Sequence, residues 1–220
     1  MNISLRNVSC TGKIKPARPK RGGLGLCLLS AILLFCLLIS PAAAAVEWEI
    51  SPSSPTVGDT LIITGKGASP DETLTATISF EKELPVSGGK YEYSLKKIKI
   101  PEGDDNLFTV TAGGVKDLNV RVKKIIWITL QSKASDGVAT ISQRNVPPLT
   151  YKIQIDGNAE KKKSCVNLNV TASQTLKADS KGKFKYNYDT SSMPAGEFKI
   201  TIGGVEKTIE LKPDTKKACR

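Results

Sequence analysis

The sequence predicts an all-β protein: two antiparallel β-sandwiches in tandem behind an N-terminal apolar segment. Three observations carry this expectation. Beyond residue 45, short runs alternate apolar with polar residues, are rich in Val, Ile, Thr, Tyr and Phe, and are separated by Gly, Pro, Asp, Asn and Ser. That is the pattern of half-buried strands. The runs also recur in one order, with Gly89-Lys90-Tyr91 matching Gly182-Lys183-Phe184, Tyr93 matching Tyr186, Pro101 matching Pro194, Phe108 matching Phe198 and Gly113-Gly114 matching Gly203-Gly204. A repeat of this kind denotes two copies of one supersecondary unit. Finally, the first 45 residues carry six basic and no acidic residues, then the uncharged run GGLGLCLLSAILLFCLLIS.

That first segment, residues 1–45, reads as a signal peptide or a signal anchor helix. A basic flank, an apolar run, Pro41 and four alanines follow one another as in a secretory signal, with Ala43 and Ala45 small enough for a signal peptidase. Cleavage between Ala45 and Val46 is expected. An uncleaved anchor is the alternative, because about 18 or more apolar residues reach across a bilayer. Both place the basic flank in the cytoplasm and the remaining chain outside. The expected location is therefore secreted or cell-surface, with membrane attachment only through this segment.

The first sandwich is expected over residues 46–123, with strands in VEWEI, DTLIITG, TLTATISF, KYEYSLKKIKI, LFTVTA and DLNVRV. The second is expected over 124–213, from IIWITLQ, VATISQ, LTYKIQI, CVNLNVTA, KFKYNY, FKITI and KTIEL, with 214–220 as a tail. Trp48 matches Trp127 and Gly58 matches Gly137 at a separation of 79, and Ile78 matches Ile155 at 77. From Lys90 and Lys183 the separation is 93, so the second copy carries an insertion, expected near 157–179. The double glycines are expected to form the same tight turn in both copies, because Gly-Gly supplies the positive φ of hairpin loops. Six or seven strands in such lengths suit an immunoglobulin-like (Ig-like) architecture, without the bridging cysteines of antibody domains.

The stretch SPSSPTVGDTLIITGKGASPDETL resembles the opening of Ig-like modules common in archaeal and bacterial surface proteins. With GKYEY, LFTVTAGG and DLNVRVK before WITL, the tandem resembles secreted two-module proteins of methanogenic archaea. The resemblance implies a cell-surface sandwich pair and no particular activity.

Charge and composition then narrow the function. The formal charge of +11 falls to 26 basic against 21 acidic residues beyond the leader, which removes the case for a nucleic-acid partner. Residues 46–124 hold 10 basic and 12 acidic residues, and 125–220 hold 16 and 9. There is no histidine, which excludes Ser-His-Asp and Cys-His catalysis. Asp71, Glu72, Asp104 and Asp105 fall in expected turns, away from the rigid strands on which a glycosidase places its paired carboxylates. No enzyme activity and no cofactor are expected.

The remaining candidate sites are few. Asp104 and Asp105 in EGDDN are the one calcium candidate, set against their ordinary role as turn residues. Asn169-Val170-Thr171 is a glycosylation sequon in an exported region. Cys165 and Cys219 either form a disulfide or remain separate thiols. Trp48 and Trp127 read as shared core anchors, with a platform for a sugar ring as the alternative. Lys161, Lys162 and Lys163 read as a solvated loop. The expected function is a non-catalytic adhesion or structural module whose partner is an envelope polymer or surface protein. The alternative is an exported carbohydrate- or ligand-binding protein that uses the insertion, distinguishable by whether that insertion lines a concave polar site.

Overall fold

The computed structural model describes residues 46–100, 105–123, 125–191 and 193–214. The leader, with Ala45 and its cleavage bond, Asp104 and Cys219 lie outside the described residues. Thirteen strands and no helix form among the described residues: β1 (Glu47–Ser51), β2 (Thr60–Lys66), β3 (Thr73–Pro85), β4 (Lys90–Lys99), β5 (Leu107–Gly113), β6 (Asp117–Lys123), β7 (Trp127–Lys133), β8 (Val138–Arg144), β9 (Thr150–Asn158), β10 (Cys165–Lys177), β11 (Phe184–Asp189), β12 (Gly196–Ile202) and β13 (Val205–Leu211). Every paired strand is antiparallel to its neighbour.

These strands build three sheets, ordered β1-β2-β11, β13-β12-β3-β10-β5-β8 and β4-β9-β6-β7. The six-stranded sheet is common ground. One core lies between it and the four-stranded sheet, around Leu84, Leu95, Val110, Val120, Ile155 and Val166. A second lies between it and the three-stranded sheet, around Trp48, Ile63, Leu74, Leu176, Phe184 and Ile202. Alternation assigns the faces. In β6 Leu118 and Val120 are buried and the residues between them point outward, and in β9 Tyr151, Ile153 and Ile155 do the same.

The expected division at residue 123 does not describe this arrangement. β3 pairs with β10 over all 13 residues of each, from Thr73↔Lys177 to Pro85↔Cys165. The chain enters the first core with β3, completes it through β4–β9, and returns to the second core along β10. Each sandwich therefore contains strands from both halves of the sequence. The reason lies in strand length: a 13-residue strand rises about 40 Å, too long for one sandwich, and its two ends serve different cores.

The repeat itself takes a more exact form in the structure. Ser79 faces Thr171 at the centre of the β3–β10 pair. β12 joins β3 at Lys199↔Ser79, and β5 joins β10 at Thr109↔Thr171. The four central strands are thus related by an approximate two-fold axis through Ser79 and Thr171. β3 corresponds to β10, and the counterpart of Ile78 is Val170 rather than Ile155. The extra element of the second copy is then β9, not residues 157–179, most of which are β10.

The double glycines also diverge. Gly203 and Gly204, with φ of 56° and 81°, close a two-residue hairpin between β12 and β13. Gly113 ends β5, and the chain after Gly114 crosses to the facing sheet as β6.

The interleaving predicts a specific cross-link. In a background lacking other cysteines, Thr77→Cys with Ser173→Cys places two thiols on cross-strand partners, within disulfide reach. Oxidation or a short thiol cross-linker should join them, as read by mass and peptide mapping. Tandem sandwiches split at residue 123 would leave the pair unlinked.

Candidate functional site

The outward residues of the four-stranded sheet line up in rows. Glu92 of β4 faces Asp156 of β9, which faces Asn119 of β6, which faces Gln131 of β7. The adjacent row contains Ser94, Gln154, Arg121 and Thr129. Toward the other end come Lys90 and Asn158, with Asp117 and Lys133 beyond them. Lys90, Glu92, Asn119, Arg121, Gln154 and Asp156 border an open basin of about 650 Å³, a size that suits a small ligand or a polymer segment.

The basin is ordered by hydrogen bonds across strands. Asn119 Nδ2 and an Arg121 guanidinium nitrogen both donate to Asp156 Oδ1 at 3.0 Å. Gln131 Nε2 donates to Asn119 Oδ1 at 3.1 Å. Asn158 donates its backbone N–H to Asp117 Oδ1 and its side-chain amide to Asp117 Oδ2, each at 2.9 Å. Lys133 Nζ lies 3.9 Å from the same carboxylate. Partial burial pulls the Asp117 carboxyl upward, but the Asn158 hydrogen bonds, aided by Lys133 and Lys116, outweigh it and hold its pKa below the usual value.

Gly157 locks this end of the sheet. A Cβ there would lie 2.3 Å from Asp117 O and 2.7 Å from Tyr91 Oη. The missing side chain lets the buried Tyr91 hydroxyl pass beneath β9 and donate to Asp117 O at 2.8 Å. Burial raises the Tyr91 pKa, and the Asp117 and Asp156 charges raise it further. The hydroxyl therefore stays a donor. A glycine inside a strand signals such a close approach, although Asp156-Gly157 reads equally well as a turn.

A second concavity lies over the six-stranded sheet where the two cores meet, an apolar cleft of about 90 Å³. Phe80, Phe108, Tyr188 and Met193 line it, and Tyr186 Oη donates to Gln174 Oε1 at 2.9 Å. Burial, with the nearby Asp189 charge, pushes the Tyr188 hydroxyl up to about 12. Its lining residues carry no carboxylate or amine, and its chemistry is that of a packed core.

The residues singled out from sequence are scattered. Asp105 is exposed in the loop before β5 with φ of 56°, and among the described residues no three metal-ligating side chains cluster. Asn169 is half-buried in the central strand β10, its Oδ1 accepting from Thr171 Oγ1 at 3.0 Å. Cys165 is half-buried at the start of β10 and forms no disulfide among the described residues. A hydrogen bond with Glu83 raises its pKa. Lys161, Lys162 and Lys163 are exposed in the β9–β10 turn.

The two tryptophans part company. Trp48 is 2% exposed, with Nε1 donating to Val205 O at 3.3 Å. Trp127, expected as its core counterpart, is 42% exposed. Missed altogether were Glu92 and Asp156, carboxylates on rigid strands that face each other across the basin.

Comparison with protein-family models, with curated proteins and with solved structures gives no match.

Two outcomes test this site. Gly157→Ala should lower unfolding stability by about 1–3 kcal/mol, the range for forced overpacking, measured by denaturant titration. An unchanged midpoint would show that β6, β9 and Tyr91 do not meet so closely. The second concerns acid. Because folding holds the Asp117 carboxyl below its unfolded value, its contribution is fully present above about pH 4 and is lost as pH falls through the lower folded pKa. Wild type should therefore exceed Asp117→Asn in stability near neutrality and converge with it in acid. A gap that stays constant down to about pH 2 would remove this role.

Proposed function

We propose that the chain is a non-catalytic module of the cell exterior that binds a hydroxyl-rich polymer, an envelope polysaccharide, in the basin of the four-stranded sheet. One observation carries the proposal: β9, the element by which the second copy exceeds the first, supplies Gln154, Asp156 and Asn158 to a concave polar surface. Planar amides, a guanidinium and carboxylates held in place by one another match the paired donors and acceptors of sugar hydroxyls. Fixing them on strands beforehand reduces the ordering cost of binding. Placement outside the cell rests on the basic, apolar and small-residue order of the leader. A surface role also agrees with the resemblance to archaeal Ig-like modules.

The function is tested by titrating the purified protein with soluble envelope polysaccharides in a calorimeter. Arg121→Ala and Gln154→Ala should each weaken binding by roughly tenfold, the loss of about one good hydrogen bond, and a chelator should leave it unchanged. Binding that survives both substitutions would place the ligand elsewhere.

A second reading has one observation in its favour. Glu92 and Asp156 are direct cross-strand partners, so two carboxylates project from rigid strands on the same face of the sheet, the kind of pairing a glycosidase requires. Against it, Asp156 Oδ1 already accepts from both Asn119 and Arg121, so one of the two oxygens that hydrolysis would use is occupied within the sheet. Release of reducing ends that disappears in Glu92→Gln would establish hydrolysis in place of binding.

A further inference from the structure

Large apolar side chains exposed to water are few among the described residues, and four of the six are consecutive: Ile125, Ile126, Trp127 and Ile128, at 81, 70, 42 and 57% exposure. They form the turn between β6 and β7 and the first residues of β7, at the sheet end opposite Lys90 and Asn158. A contiguous apolar projection of this kind marks a surface that is covered in use.

What surrounds it identifies the cover. Lys123 is the cross-strand partner of Trp127, and Lys152 is the next residue in the same row. Their Nζ atoms lie 5.7 and 5.6 Å from the Trp127 ring centroid. Neither lysine forms an ion pair among the described residues. Moving from the turn into the sheet, one meets two isoleucines, then a single row that holds an indole with two ammonium groups over it. A bilayer presents the complementary order of acyl boundary and then a headgroup level that carries anionic phosphate.

We propose that the β6–β7 turn is a membrane-interface anchor for an anionic lipid surface. Ile125 and Ile126 enter the acyl boundary, Trp127 lies at the headgroup level, and Lys123 and Lys152 meet phosphates. A second copy is the poorer partner, because two such turns meeting tip to tip bring four lysines together at the moment of desolvation, where like charges repel most strongly. Anionic headgroups gain from the same lysines.

The full chain contains two tryptophans, and the buried Trp48 leaves Trp127 as the environment-sensitive one. In vesicles containing phosphatidylglycerol, Trp127 emission should shift to the blue and be quenched by lipids brominated in the acyl chain. Wild type and variants share the same N-terminal sequence, so differences between them in the Trp127 signal report the turn itself. Ile125→Ser with Ile126→Ser should reduce the vesicle affinity of the turn by about a hundredfold, and Lys123→Glu with Lys152→Glu should abolish the preference for anionic over phosphatidylcholine vesicles. Both variants should melt like wild type, since only exposed groups change. Trp127 emission indifferent to vesicles would overturn the proposal. So would light scattering that shows a dimer dispersed by the isoleucine changes without any lipid effect.

Discussion

The pairing of β3 with β10 is the constraint on which the rest depends. Thirteen residues of one strand face thirteen of the other without a bulge, and their alternating apolar side chains form part of the wall of both cores. Leu84 and Val166 belong to the first core, and Leu74 and Leu176 to the second. A one-residue slip would turn all of these outward at once. Register is therefore fixed by two hydrophobic cores rather than one. Everything between residues 86 and 164 is closed off by this ribbon, so β4 through β9 must find partners within that interval or in the ribbon.

That closure explains the composition of the four-stranded sheet. β4 and β6 come from one copy and β7 and β9 from the other, and β9 enters between β4 and β6, where the counterpart sheet has no strand to spare. Inserting a strand into a sheet requires close backbone approach on both sides. Gly157 meets that requirement against Asp117 and Tyr91, and Asn158 satisfies the Asp117 carboxylate left at the margin. The same insertion widens the outward face from which the basin is made. Packing and site are thus consequences of one added strand.

Much of this was legible in the sequence, and the limit is physical. Period-two alternation locates strands because each strand must hide one face, and the candidate runs correspond to observed strands throughout. Alternation says nothing about which strand lies beside which, since hydrogen bonds between backbones are blind to side-chain identity. Two copies of similar pattern offer exchanged and unexchanged pairings with the same buried residues, and only the length of β3 and β10 breaks the tie. The match of Ile78 to Ile155 failed because TATI and KIQI share an alternation, not a place. Trp127 was misplaced for a similar reason. It follows Ile125 and Ile126 in a run that reads as core, yet the strand has inward positions only for alternate residues, and the turn has none. The basin was illegible because Glu92, Arg121, Gln154 and Asp156 are far apart in sequence and individually look like the solvated side of ordinary strands.

The four-stranded sheet separates its two surfaces along the strand direction. Trp127, Lys123 and Lys152 occupy one end row, while Asp117, Asn158 and Lys90 lie toward the other. β6 runs from Asp117 to Lys123, which at about 3.4 Å per residue is a distance of roughly 20 Å. A turn seated in the headgroup layer thus holds the far end of the basin about two Debye lengths from the lipid charge at physiological ionic strength. In that arrangement the polar groups there would be screened from the bilayer field and open to a polymer approaching from the other side. Lysines at the membrane end and mutually neutralised Arg121 and Asp156 in the basin are then two parts of one charge arrangement. On the two proposals together, Lys123 and Lys152 stand where an anionic surface would neutralise them, and the Arg121–Asp156 pair stands where an uncharged sugar would have to displace only water.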